Sequence, residues 1–151
     1  RVLCLPVEEQ VLPLMGKLAQ GPMTMRMLPG ESLVGAVSQP AHNDHSAESQ
    51  GNSGEILVGS RQGKVIRLSL SDLRRCKRGD MGDMIMQLES KGNDPDRLVS
   101  ICAVEELVGV VSSKNRHGRL LSAELSNNTD QPTQLTLKGD ESLADLVPLL
   151  S

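Results

Sequence analysis

Seven cations fall within eighteen residues of this chain. Between positions 61 and 78 stand Arg61, Lys64, Arg67, Arg74, Arg75, Lys77 and Arg78 against Asp72 alone, a local balance of +6. Guanidinium and ammonium groups at this density suit one chemistry above others, the binding of successive phosphates with release of the condensed counterions of a duplex. The plainer reading is a solvated face that keeps a β-protein in solution. No Phe, Tyr or Trp occurs anywhere in the chain. Bases would therefore find no stacking platform, which turns the reading from single strands toward duplex DNA held by its backbone.

Other chemistry is thin. His42 and His45 flank Asp44 in "HNDH", but no second ligand cluster accompanies them, so the reading is solvated loop residues and no metal. There is no nucleophile elbow of the G-x-S-x-G kind and no glycine-rich phosphate loop. No catalytic residue and no cofactor are expected. Cys4, Cys76 and Cys102 are an odd number at wide spacings and read as reduced, buried thiols. The methionine pairs Met23/Met25 and Met84/Met86 read as core packing. "NNT" at Asn127 reads as a turn.

The elements that position the cations come from a repeat. "RVLCLPV", "KVIRLSL" and "RLLSAEL" each place apolar residues with period 2 behind a leading cation, starting 63 and 55 residues apart. Each predicts a strand with one buried face. Downstream, "MTMRMLPGESLVGAV", "MIMQLESKGNDPDRLVSICAV" and "TQLTLKGDESLADLVPL" predict a strand, a turn at Gly30, Gly92 or Gly139, and a further strand. Upstream of the second and third cations, "EILVGSRQG" and "EELVGVVSSKNRHG" predict hairpins closed at Gly63 and Gly118. The first copy starts at its cation, as a cut through a longer array would.

Helical period is almost absent; only "VEEQVLPLM" and "SLSDLRRC" predict a turn or so of helix. The fold class expected is all-β, a propeller-like array of four-stranded blades with about three present and the first incomplete. The boundaries are residues 1–37, 55–104 and 105–151 for the blades, with 38–54 as a flexible surface loop rich in Gly, Ser and Asn. A formal charge of −3 predicts solubility, and no run of 18 apolar residues or signal segment occurs, so no membrane role and an intracellular location are expected.

With "ILVGSRQGKVIRLSLSDLRRCKRGDMG" followed by "RLVSICAV", the chain resembles a blade of the C-terminal β-pinwheel domain of the bacterial DNA gyrase A subunit, or of the related topoisomerase IV A subunit. The opening residues resemble the preceding blade, and those from Glu105 onward a weaker final one. The resemblance implies a module that wraps duplex DNA around a basic rim and so supports supercoiling. Its implied partners are duplex DNA, the remainder of the A subunit and the B subunit, in a nucleoid-associated, cytoplasmic setting. The family's Q-R-R-G-G-K-G turn is absent; "RRCKRGDMG" keeps its basic, glycine-containing character at Arg74, Arg75, Lys77, Arg78, Gly79 and Gly82. Cleavage by a tyrosine cannot reside here, since the sequence has none. The alternative reading is a propeller-like protein-interaction module without DNA binding, whose contacts would tolerate salt.

The composition of 38–54 offers nothing to bury, so deleting 39–53 is expected to leave the fold intact and limited proteolysis to cut there first, as electrophoresis of a timed digest would show.

Overall fold

The computed structural model describes residues 1–6, 14–39 and 54–150. The expectations for residues 40–53, "HNDH" among them, and for the helical turn in "VEEQVLPLM" lie largely outside the described residues. The chain divides into two compact units, one formed by Arg1–Leu33 with Ser71–Ile85 and the other by Val34–Leu70 with Met86–Ser151.

The second unit holds every named strand: β1 Glu55–Ser60, β2 Lys64–Ser69, β3 Leu98–Ala103, β4 Leu107–Ser112, β5 His117–Leu121, β6 Thr133–Gln134 and β7 Leu143–Leu149. Two antiparallel sheets result, in the orders β3-β1-β2-β6 and β5-β4-β7. The fold is all-β, and short 3-10 turns at Leu70–Asp72 and Ser122–Glu124 are the helical elements among the described residues. In each sheet a hairpin is followed by a long excursion, and the returning strand pairs with the free side of the hairpin's first strand. β1 and β4 thereby become central, and β1 is buried from Ile56 through Ser60. The expected single buried face fails for β2 as well, where consecutive Val65 and Ile66 are both buried because each face is covered.

Hairpin chemistry explains the turns. In the first, Gly63 takes φ +89° and donates its N–H to Ser60 O at 3.0 Å. Glycine adopts this region without the cost a Cβ imposes. In the second the turn closes three residues earlier than expected. Asn115 adopts φ 56°, while Gly118 is already a strand residue opposite Val110. The side-chain oxygen of Ser112 accepts from the N–H groups of Lys114 and Arg116 at 3.3 and 3.2 Å, which offers the turn a ready partner and shifts closure to the asparagine. Gly30, Gly92 and Gly139 all have positive φ, as their turns require.

One aliphatic core serves both sheets. Leu57, Val65 and Cys102 from the first meet Val108, Leu143 and Leu146 from the second, and Val104 and Leu125 join the same cluster. The backbone of β1 approaches β7 so closely at Gly59 that an added Cβ would lie 2.7 Å from Leu143 Cδ2 and 2.9 Å from Leu146 Cδ1. Beside it, Ser100 Oγ donates to Asp145 Oδ1 at 2.6 Å and accepts from Leu146 N at 3.0 Å. Cys76 and Cys102 are buried and Cys4 half-buried, all three as free thiols; burial pushes the Cys102 thiol up to about 11.

The first unit is tied together by isolated bridges: Val2 with Asp83 antiparallel, and Cys4 with Arg75 and Met25 with Asp80 parallel. The strands expected over "MTMRM" and "MIMQL" are not formed. Their methionines split accordingly: Met86 is buried, but Met23 is 66% and Met84 77% exposed. Ile85 and Met86 are buried in succession, which a period-2 strand with one solvent face does not allow.

The close approach at β1 and β7 sets an expected outcome. Leu143→Ala removes a fully buried side chain and should cost about 2–5 kcal/mol. Gly59→Val overfills the same contact and should cost about 1–3 kcal/mol. Urea unfolding at constant m-value measures both.

Candidate nucleic-acid interface

The seven cations do not share one environment. Arg61, in the β1–β2 turn, forms an ion pair with Asp94. Lys64 Nζ donates to Gln87 O at 3.4 Å. Arg67 lies half-buried with Nε 3.7 Å from Glu55 Oε1 and Nη1 donating to Ser122 O at 3.3 Å. These three hold turns and neighbouring segments of the second unit, and Lys64 and Arg67 stand half-buried on opposite faces of β2.

The other four lie in the first unit, after the 3-10 turn at Leu70–Asp72. Leu73 and Cys76 are buried there, while Arg74, Arg75, Lys77 and Arg78 are exposed. Arg74 is consumed internally. Its two terminal nitrogens donate to both carboxylate oxygens of Asp80 at 2.9 and 3.1 Å, and Nε donates to Asp83 Oδ1 at 3.2 Å. Such a forked pair is the geometry guanidinium and carboxylate share. Asp80 Oδ1 also accepts from the N–H groups of Met81 and Gly82 at 2.6 and 3.2 Å. The Arg74 guanidinium first, then the Gly82 and Met81 amides, hold the Asp80 carboxyl far below the usual range. The same pair raises Arg74 still further above its ordinary value.

This clamp fixes the turn that carries the remaining cations. Gly79, at φ +85°, donates to Thr24 O at 2.8 Å, Arg26 N donates to Asp80 O at 2.9 Å and Cys76 N donates to Cys4 O at 2.8 Å. Two segments distant in sequence therefore brace residues 74–83. Arg75 and Lys77 form no ion pair among the described residues, and with exposed Arg78 they flank buried Cys76. The bridge of Met25 with Asp80 also brings exposed Arg26 alongside this turn. Charge counting along the chain missed Arg26, because it stands alone in an apolar stretch and only the bridge brings it here.

Three acidic residues of the last segment have structural partners. Asp140 pairs with Lys114, Glu141 Oε1 forms an ion pair with Arg116 Nε at 2.9 Å, and Asp145 holds Ser100. Among the described residues no group of three or more metal-ligating side chains forms, and no helix is long and apolar enough to cross a membrane.

The Asp80 clamp has a pH signature. A carboxyl held below its unfolded value stabilises the fold above about pH 4, and that contribution is lost as pH falls through the folded value. Residues 74–83 should therefore loosen progressively below about pH 4. Asp80→Asn should remove this part of the acid dependence, read as amide exchange of Gly79 and Gly82 across a pH series.

Residues 54–101 match the family model described as DNA gyrase C-terminal domain, beta-propeller. A solved structure titled "Structure of DNA gyrase A C-terminal domain" aligns with 65% of this chain at 22% identity and a TM-score of 0.56. The "Crystal structure of the C-terminal domain of DNA topoisomerase IV" aligns with 65% of it at 14% identity and a TM-score of 0.53. The aligned part spans 34% and 31% of those two chains, about a third of each. A comparison with characterised protein sequences finds no match. The resemblance read from the sequence is thus met twice, in a segment matching the DNA gyrase C-terminal domain family and in a fold shared with the C-terminal domains of gyrase A and topoisomerase IV.

Proposed function

We propose that the chain is a non-catalytic duplex-DNA binding and wrapping module of a type II topoisomerase resembling gyrase, gripping the sugar-phosphate backbone without reading sequence. The observation that supports it most is the braced turn at residues 74–83, which presents Arg75, Lys77 and Arg78 to solvent on a match to the gyrase C-terminal domain family. Arg74 serves as the clamp that sets the turn. Arg61, Lys64 and Arg67 face the phosphate backbone less directly, because each already holds a group of its own unit. The remainder of an A subunit and its B subunit would supply cleavage, religation and energy coupling in the bacterial cytoplasm, and the wrapped duplex would deliver the sign of supercoiling.

Phosphate contacts position a protein on DNA without carrying sequence information. Replacing Arg75, Lys77 and Arg78 together by Ala should weaken binding by a similar factor for unrelated duplexes. The slope of log K against log salt should become shallower by about 0.9 for each phosphate left without its cation, about 2.7 for three. Gel shifts across a salt series measure this. An unchanged slope in a folded triple variant overturns the proposal and leaves these cations as a solvated face.

A second reading has its own observation. Leu14 and Leu18 are 96% and 100% exposed in the first unit, with Leu33 and Met23 also largely exposed. Apolar side chains so placed suit a protein partner, and binding through them would persist at high salt.

A further inference from the structure

The two hairpins share a register, and one cross-strand pair differs in a way that opens a cleft. Where the returning strand meets each hairpin, the pairing shifts between Gly59 and Ser60 in the first sheet and between Val111 and Ser112 in the second. Val58 therefore corresponds to Val110, and their partners Ile66 and Gly118 correspond to each other. In the first hairpin that pair is sealed, with Val58 1% and Ile66 0% exposed. In the second, Val110 is half-buried and Gly118 exposed, and a Cβ added at Gly118 would meet nothing within 4 Å. Directly opposed residues project from the same face of a sheet, so the side chain missing at Gly118 leaves room beside Val110. A cleft of about 360 Å³ lies there, walled by Val110, Arg116 and Gly118 of the hairpin and by Thr136, Leu137 and Glu141 of the segment before β7. All six belong to the second unit, and the room comes from the exchange of isoleucine for glycine at one register position.

The chemistry of the walls selects the occupant. Val110 and Leu137, which also pack against the aliphatic core, offer an apolar floor. Glu141, whose side chain is 6% exposed, meets Arg116 Nε at 2.9 Å, and the two terminal nitrogens of Arg116 donate no hydrogen bond among the described residues. Those nitrogens form the fork that a carboxylate accepts on both oxygens, and Thr136 adds a hydroxyl at the rim. We infer that the cleft is a binding site for a small carboxylate with a branched aliphatic body. The body takes the volume that Ile66 fills in the first hairpin and leaves water as it does so, while the carboxylate takes the free end of Arg116. Charge narrows the class. Glu141 already balances the guanidinium, so a monoanion is accommodated through the fork whereas a dianion such as phosphate is repelled by the neighbouring carboxylate. This sets the cleft apart from the sugar-phosphate grip proposed for Arg75, Lys77 and Arg78.

The test titrates the whole chain with isocaproate at millimolar concentration and follows the backbone amide resonances. Saturable shifts should be confined to the cleft, with Gly118 and Leu137 foremost. Isocaproamide, which keeps the body and loses the charge, should bind at least about tenfold more weakly. Acetate and inorganic phosphate should give no saturable shift at the cleft over the same range. Gly118→Ile fills the volume from within and should abolish binding. Position 118 lies in strand β5 with open space around the new Cβ, so the circular dichroism of the fold should persist. No saturable shift at the cleft, equal affinity for the amide, matching shifts with phosphate, or undiminished binding by a folded Gly118→Ile variant overturns the inference. Should Gly118→Ile fail to fold, the acid and its amide on the parent chain decide alone.

Discussion

The absence of aromatic side chains governs the packing of this protein. Aromatic residues normally supply 150–250 Å² of buried surface each, and they keep packed sheets well apart. A core of Leu, Val, Ile and Cys must instead bring the backbones together. That is what happens between β1 and β7: Gly59 leaves the space that Leu143 and Leu146 enter, and Ser100, small and polar, meets Asp145 and the amide of Leu146. A buried hydroxyl is tolerable there because it both donates and accepts. The rest of the second unit follows from this contact, since β7 anchors β4 and the excursion before it carries β6 to the edge of β2.

Local charge density is a poor guide to which cations are available. Of the seven between 61 and 78, Arg61, Arg67 and Arg74 are spent on Asp94, Glu55 and the pair Asp80/Asp83. Exposed pairs of this kind add little stability individually, yet they fix where turns sit. Arg74 shows the distinction best. It is as exposed as its neighbours, but its forked contact with Asp80 joins the turn to the amides of Met81 and Gly82 and so sets the direction of Arg75 and Lys77.

Much of the architecture was legible because it depends on local rules. The turn glycines at 30, 63, 92 and 139, the hairpin strands and the all-β class follow from backbone preference and apolar pattern, and each is found. The parts that were not legible depend on distant partners. Thr133 and Gln134 belong in sequence to the last segment but lie on the edge of the first sheet, a pairing that period 2 cannot reveal. Met23 and Met84 look like strand residues, but no ladder reaches them and they are exposed. The closure of the second hairpin at Asn115 was hidden by Gly118, because the competing Ser112 hydroxyl is recognisable only once the turn is folded.

The repeat is deeper than its apolar pattern. Two ion pairs join a cation of a hairpin turn to the acid that follows a turn glycine, Arg61 with Asp94 and Lys114 with Asp140, and Arg1, a leading cation of the repeat, pairs likewise with Glu31 after Gly30. Two of the acids are held below the usual carboxylate range, Glu31 by the Leu28 amide and Arg1, and Asp140 by Lys114. The covering contacts repeat too. Val2 pairs with Asp83 as Val65 pairs with Thr133, and Cys76 N donates to Cys4 O where Arg67 N donates to Ser126 O. The donor has changed strand between those two copies, so what recurs is the bridge itself and not a particular hydrogen bond. Side chains at these positions are consequently free to differ, which accounts for a basic turn at 74–78 and a polar one, "SNNTDQ", at the matching place in the last segment: the backbone carries the architecture, and the cations are added to one copy of it.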